Sequence, residues 1–243
     1  MMNKNNYKNK YPKLASDMMD NIEDSFLEAM SGTFRAYNES GARSNKKLIP
    51  IHKWFGDIIE SSLDESYSVR SLGKGGEVEI EGKYYPKTVD ISILNKDKIV
   101  ATISFKFVTS NYKQNANNYF ENLLGETANI RRVNVGFAHF LVLRAHTPYY
   151  DKNKGNLRGN LKKIEVLNDK DLSKYVKLFR DLDFPHKPEV LGIAVIDIDS
   201  AGICYFPDLN ELEISADTKK VLNEELSLQQ FIRRVVALCQ LKS

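Results

Sequence analysis

The residues of this chain whose types and spacing can do chemistry are one aspartate and one lysine on neighbouring segments. Asp90 lies in KTVDISIL, and Ser104 and Lys106 lie in ATISFKF, which follows it. A carboxylate can hold a divalent metal ion, and a nearby ammonium group can orient or deprotonate a water molecule. Hydrolysis of a phosphodiester needs such a water and neutralisation of charge at phosphorus. These residues therefore predict a site rather than a solvated surface.

Two predicted strands must position these residues. Apolar and polar side chains alternate over residues 86–94 and again over residues 98–108, with a polar break between them. Because side chains on a strand have a period of two, each strand has one apolar and one polar face. If the strands pair as a hairpin, Asp90, Ser104 and Lys106 share the polar face. An amphipathic hairpin with an exposed polar face is the alternative.

The pattern Asp90…Ser104-Phe105-Lys106 resembles the PD-(D/E)xK nuclease superfamily, which includes most type II restriction endonucleases. In that superfamily an Asp on one strand and an acid-x-Lys on the next hold Mg²⁺ and activate water. Here Val89 stands where the family has Pro, and Ser104 stands where the second acid usually stands. One branch of the superfamily also has Ser-x-Lys and takes its second acid from the following helix. The resemblance covers roughly residues 50–145.

The resemblance implies roles for five residues. Asp90, the migrated acid and the backbone carbonyl of Phe105 are the expected Mg²⁺ ligands. Lys106 orients and activates the water, and Ser104 stands beside the metal. Glu121, in NANNYFENLLGETANIRR, is the preferred migrated acid.

Three further glutamates are possible accessory acids. Glu126 points about 140° away from Glu121 on a helix with roughly 100° per residue, so at most one of the two faces the metal. Glu77 is on a predicted strand that neighbours that of Asp90. Glu60 is on the first core helix, where this superfamily often carries an acid, although a surface glutamate is the alternative.

Two polar segments carry candidate DNA contacts. The helix entry SNYKQNANN is rich in amides, which bond phosphate oxygens and base edges, and a helix N-terminus favours anions. Residues 146–163 interleave basic residues with tyrosines, which suits phosphate neutralisation and base readout in a groove. Helix capping and a charged insertion are the respective alternatives. The candidates are Lys113, Gln114, Asn115, Asn118, Tyr149, Lys152, Lys154, Arg158, Lys162 and Lys163.

The composition restricts the class of protein. The chain is 42% hydrophobic and 28% charged, which suits a packed core, and its net charge of +3 means that DNA binding must come from local clustering. Cys204 and Cys239 have no zinc-site spacing and fit a reducing cytoplasm. We expect a cytoplasmic protein without a signal peptide or membrane span. The glycine-rich residues 73–82 lack a phosphate-loop pattern, so we expect no nucleotide cofactor.

The order of predicted elements indicates an α/β protein, with a mixed central β-sheet flanked by helices and a restriction-endonuclease-like core. Residues 136–144, which include His139 as a core histidine, and residues 190–198 are predicted strands buried on both faces. Residues 217–241 are predicted to form one helix. Residues 1–13 are expected to be a flexible arm and residues 14–243 a single nuclease domain, with its catalytic core at about residues 50–145.

The function expected from the resemblance is Mg²⁺-dependent, sequence-specific hydrolysis of double-stranded DNA by a type II restriction endonuclease. A palindromic double-strand cut needs two copies of one site, so we expect a homodimer. A repair or recombination nuclease of the same fold is one alternative. A non-catalytic DNA-binding relic of the fold is another, because Ser104 replaces an acid.

Overall fold

The computed structural model describes residues 21–41, 44–151 and 159–243. The expected arm at residues 1–13 and the candidate DNA contacts Lys152, Lys154 and Arg158 lie outside these residues. The helices are α1 (Ile22–Ser40), α2 (Ile49–Ser61), α3 (Tyr112–Arg131), α4 (Asp169–Arg180), α5 (Ala216–Glu224) and α6 (Leu228–Lys242), with 3₁₀ turns at Asn45–Leu48 and Leu209–Glu211. The strands are β1 (Tyr67–Ser71), β2 (Val78–Glu81), β3 (Pro86–Val89), β4 (Ile91–Asn95), β5 (Lys98–Phe107), β6 (Gly136–Arg144), β7 (His146–Tyr150), β8 (Leu161–Val166), β9 (Val190–Ile198) and β10 (Cys204–Tyr205).

The centre of the fold is a six-stranded mixed sheet in the order β1-β4-β5-β6-β9-β10. Its middle strands β5, β6 and β9 run parallel, whereas β1, β4 and β10 join antiparallel at the two flanks. Two ribbons, β2-β3 and β7-β8, stand apart from it. The predicted class, α/β with a mixed central sheet flanked by helices, is confirmed.

The two strands predicted to be buried on both faces are confirmed at the predicted residues. Gly136–Arg144 and Val190–Ile198 are buried at every position but the last. They pair in parallel, side by side, in the interior of the sheet. Apolar runs of this kind form where helices cover both faces of a sheet.

Two local predictions were wrong, and one strand was missed. Residues 86–94 are not one strand, because β3 pairs with β2 in a ribbon while β4 pairs with β5 in the central sheet, and Asp90 lies between them. The short edge strand β1 was not predicted at all. The single C-terminal helix is two helices, since the hydroxyl of Ser227 accepts a hydrogen bond from the Gln230 N–H and starts α6.

Helices cover both faces of the sheet, so the polar side of β5 is buried at Thr102 and Ser104 and exposed towards its end, at Lys106. On one face an aromatic cluster packs between α1, α2, α6 and the sheet; it comprises Phe26, Phe55, Phe105, Phe140 and Phe231. Helices α3, α4 and α5 cover the other face. Because Phe105 points into the aromatic cluster, its neighbours Ser104 and Lys106 point to the side of α3. None of the helices among the described residues is long and apolar enough to cross a membrane.

Candidate active site

Asp90 lies where the chain leaves the β2-β3 ribbon and enters the central sheet. Its Oδ2 accepts a hydrogen bond of 2.8 Å from the backbone N–H of Phe105 on β5. This bond fixes the carboxylate against the strand that carries Ser104 and Lys106. Asp90 and the Ser-x-Lys segment therefore lie close together, as predicted. Asp90 is not on a strand, however, but between the end of β3 and the start of β4.

Ser104 connects β5 to an acid on α3. Its hydroxyl lies 3.2 Å from Oε2 of Glu126 and donates a hydrogen bond to it. Both residues are largely buried, with Ser104 only 8% exposed. The serine that stands in the usual acid position thus holds a carboxylate that comes from the helix.

Glu121 does not join this group. It is exposed on α3, whereas Glu126 lines the cavity beside Asp90. The sequence contained a signal for this difference, because Glu126 is three residues after Leu123 and four before Ile130, which are both buried. A residue at that spacing shares their helix face. The helix face that carries the buried residues therefore identifies the inward-facing glutamate better than its sequence separation from Lys106 does.

These side chains converge on one cavity of about 550 Å³. Lys106 is exposed at this cavity, with its ammonium nitrogen 5.3 Å from the centre of the Tyr119 ring. Phe105 also lines it, and because its ring lies in the aromatic cluster, its backbone is the part that faces the cavity. The lining residues are Asn45, Lys47, Leu48, Tyr85, Lys87, Asp90, Ser104, Phe105, Lys106, Phe107, Tyr119, Asn122, Leu123, Glu126 and His139.

The two carboxyl groups of the cavity are harder to ionise than in water. Burial raises the pKa of Asp90, against the opposing effects of the Phe105 hydrogen bond and the charges of Lys87 and Lys106. Burial likewise raises the pKa of Glu126, and the nearby Asp90 adds to the effect. Desolvated carboxylates gain most from a cation placed between them. Such shifts are frequent at functional sites.

The residues present fit a hard divalent cation. Across the described ranges, no group of three or more His, Cys, Asp and Glu side chains is arranged to hold a metal ion. Asp90 and Glu126 nevertheless offer two carboxylates beside the backbone of Phe105. Mg²⁺ prefers oxygen ligands, keeps several waters and is usually bound through one or two carboxylates. This donor set suits Mg²⁺ better than Zn²⁺, which prefers nitrogen and sulfur ligands.

Two further lysines line the cavity. Lys87, on β3, lies 3.4 Å from Oε1 of Glu126. Lys47 lies in the 3₁₀ turn before α2, and burial and the charge of Lys106 lower its pKa. No spacing in the sequence links either lysine to Asp90, because the contacts join separate elements.

His139 lines the cavity floor on β6, next to Ser104 in the sheet register. It is 5% exposed, and burial, followed by the charge of Lys106, lowers its pKa to about 3. The imidazole is therefore neutral at physiological pH. The prediction of a core histidine agrees with its burial.

The other two possible accessory acids, Glu60 and Glu77, lie outside the cavity lining. Glu60 pairs with Lys74 at 2.7 Å and accepts a hydrogen bond from the Val69 N–H, so it ties α2 to β1. Glu77 is close enough to Asp90 for the negative charge of Asp90 to add to the effect of burial in raising the pKa of Glu77.

The described candidate DNA contacts also lie outside this lining. Asn115 donates a hydrogen bond to the backbone oxygen of Asn111, which is a local contact. Gln114 and Asn118 are exposed on α3, and Tyr149 lies under the ammonium group of Lys163. The lysines have acidic partners: Lys113 with Asp171 at 3.6 Å, Lys162 with Asp151 at 2.6 Å and Lys163 with Glu165 at 2.9 Å.

Comparison with known proteins gave structural similarity alone. No family model and no curated protein matches the sequence. The chain is similar to NucC from E. coli MS115-1 in its cAAA-bound form, with a TM-score of 0.43 and 11% identity over 93% of this chain and 91% of that one. It is also similar to cAAA-bound NucC from P. aeruginosa ATCC27853, with a TM-score of 0.41 and 11% identity over 93% and 92% of the two chains. These neighbours do not support the expectation that this chain takes no nucleotide cofactor. Their similarity to this chain is too low to assign a ligand to this chain.

Proposed function

We propose that this chain is a Mg²⁺-dependent endonuclease that hydrolyses phosphodiester bonds of DNA. The observation that carries the proposal is the meeting of Asp90, Glu126 and Lys106 at one cavity. The hydrogen bonds from Phe105 N–H and Ser104 hydroxyl supply the second support, because they hold each carboxylate in place. DNA as the substrate comes from the resemblance of the Asp and Ser-x-Lys pattern.

The residues divide the work of hydrolysis between them. When bound, Mg²⁺ supplies charge neutralisation at phosphorus and lowers the pKa of a bound water. Asp90 and Glu126, with the Phe105 carbonyl, are its proposed ligands, and Glu126 takes the role expected for Glu121. Lys106, whose positive charge acts on Asp90, is proposed to orient the attacking water and to lower the pKa of that water by its charge. Lys47, which also lines the cavity, is proposed to contact a phosphate of the bound strand.

The finer proposal is a type II restriction endonuclease that acts as a homodimer on double-stranded DNA. It is supported by the resemblance, and by symmetry, since the described residues of one chain form one such cavity, which can serve one DNA strand. In this proposal the polar entry of α3 and the β7-β8 ribbon approach the DNA outside the cavity.

The test is incubation of the purified protein with supercoiled plasmid and phage DNA, with and without Mg²⁺. Wild-type protein should cut only with Mg²⁺, and Asp90→Asn and Lys106→Met should each lower the rate at least about 100-fold, the scale of losing a group that stabilises the transition state. Discrete bands support the restriction class, whereas a smear supports an endonuclease without sequence specificity. Absence of cleavage on methylated and unmethylated DNA alike would contradict the proposal and leave a binding role.

A further inference from the structure

The ammonium group of Lys87 lies among the acids of the candidate site. Its Nζ is 3.4 Å from Oε1 of Glu126, on the carboxylate whose other oxygen accepts from Ser104. Lys87 lies on β3, three residues before Asp90, in the segment that leads from the β2-β3 ribbon to the central sheet. Its side chain is 37% exposed, whereas that of Glu126 is 18% exposed. A partly buried cation therefore faces both carboxylates from the side of β3.

Lys87 acts on three acids at once. Its positive charge opposes the effect of burial on the pKa of Asp90, of Glu126 and of Glu77. Lys106, the lysine of the Ser-x-Lys segment, also opposes the effect of burial on the pKa of Asp90.

We propose that Lys87 takes the place of a second divalent cation, so that each chain binds one metal ion and not two. The proposal rests on the proposed function in one respect, namely that Asp90 and Glu126 are metal ligands. It adds the number of ions and assigns Lys87 the positive charge that a second ion would otherwise bring.

The distances and charges favour one ion. In two-metal sites the ions lie about 3.5–4 Å apart and share carboxylate ligands. The Lys87 ammonium lies 3.4 Å from Oε1 of Glu126, the oxygen that does not accept from Ser104, so this oxygen already has a cationic partner. The carboxylates of Asp90 and Glu126 bring two negative charges, which one divalent ion neutralises. A second ion beside Lys87 would face repulsion in a poorly solvated cavity.

The experiment counts bound Mn²⁺, a paramagnetic substitute for Mg²⁺, by equilibrium dialysis and electron paramagnetic resonance in the absence of DNA. Wild-type protein should bind one Mn²⁺ per chain, and Lys87→Met should bind two. Lys87→Gln is a second neutral variant, to be used if Lys87→Met unfolds. Lys87→Arg keeps the charge and should bind one. Lys83→Met is the matched control, since Lys83 is exposed on the same segment and does not line the cavity, and it should bind one.

The outcomes separate this inference from the proposed function. One Mn²⁺ in wild type and one in both neutral variants at position 87 would overturn the inference alone, as would two in wild type. No Mn²⁺ in wild type would also overturn the inference, whereas the proposed function is tested separately by Mg²⁺-dependent cleavage of plasmid DNA, whose phosphates can complete the coordination of the ion. Because the readout is an ion count, loss of DNA cleavage in a variant has no bearing on it.

Discussion

At the scale of single residues, the cavity keeps two carboxylates although its strand has serine in the usual acid position. The helix supplies Glu126, and the Ser104 hydroxyl donates to it at 3.2 Å. A buried carboxylate needs hydrogen-bond donors, and the Ser104 hydroxyl is such a donor. The position of the serine therefore indicates where the carboxylate from the helix lies. The departure of the sequence from the family pattern is therefore compatible with a complete donor set.

Lys47 gives the first prediction at this scale. Lys47→Met should raise KM for DNA about 10-fold with kcat changed less than about 2-fold, because a phosphate contact is lost away from the reacting atoms. It should also reduce the slope of log affinity against log salt by about 1. Filter binding over a series of salt concentrations measures the slope.

Lys46→Met is the control for Lys47, since Lys46 is its exposed neighbour in the same 3₁₀ turn and does not line the cavity. The ammonium nitrogen of Lys47 lies 5.6 Å from the centre of the Tyr37 ring, so Lys47→Met keeps most of the side-chain length but removes this cation–π contact. Equal salt slopes for the two variants would show that Lys47 makes no special contact with phosphate.

At the scale of elements, α3 positions both the acid and the chain that leads to Asp90. Asn129 is fully buried on α3 and bonds the backbone of residues 84 and 85 through both ends of its amide. A Cβ at Gly82 would lie 2.2 Å from Nδ2 of Asn129, so this close approach requires glycine. The helix that carries Glu126 thus also fixes the segment that carries Tyr85 and Lys87.

Helix α2 carries a source of acid sensitivity in His52. The imidazole is 0% exposed, neither ring nitrogen has a hydrogen-bond partner among the described residues, and its edge meets the ring of Phe105. Burial lowers its pKa to about 4 from an ordinary value of 6.5. Between these two pH values the unfolded chain binds a proton that the folded chain does not, so stability falls as the pH falls.

We predict that His52→Leu reduces this acid sensitivity. From pH 7 to pH 5, protonation of His52 in the unfolded chain should lower the unfolding free energy of the wild type by about 2 kcal/mol. The variant lacks this contribution, so the decrease in its unfolding free energy should be smaller by about 2 kcal/mol. Urea unfolding at both pH values measures the difference. His139 is a second buried imidazole with a lowered pKa, so part of the acid sensitivity remains in the variant. Identical losses for wild type and variant would mean that His52 titrates normally.

At the scale of the whole molecule, the sequence predicted the elements whose patterns are local. The runs at 136–144 and 190–198 predicted β6 and β9 to the residue, since helices on both faces make these strands nearly continuous apolar runs. The split of residues 86–94 at Asp90 was not predictable from alternation, because Val89 and Ile91 continue the same period while pairing in different sheets. Asp90 and Lys106 were identified from their neighbours in sequence, whereas the parts of the cavity formed by Lys47 and Lys87 depend on tertiary contacts.

The homodimer gives the prediction at this scale. If two chains cut the two strands, a dimer of one wild-type and one Asp90→Asn chain should nick plasmid DNA without linearising it. Co-expressed, differently tagged chains allow the mixed dimer to be isolated, and gel electrophoresis separates nicked from linear product. Light scattering that shows a monomer both with and without DNA would rule this arrangement out.

The central claim is that the acid on α3 that completes the site is Glu126, and the most direct test compares Glu126→Gln with Glu121→Gln in Mg²⁺-dependent plasmid cleavage. Glutamine keeps the size of each side chain, and Glu121 is the exposed control on the same helix. We predict at least about 100-fold slower cleavage by Glu126→Gln, on the scale of losing a group that stabilises the transition state, and nearly wild-type cleavage by Glu121→Gln. Full activity in Glu126→Gln, or loss of activity in Glu121→Gln alone, would contradict the claim.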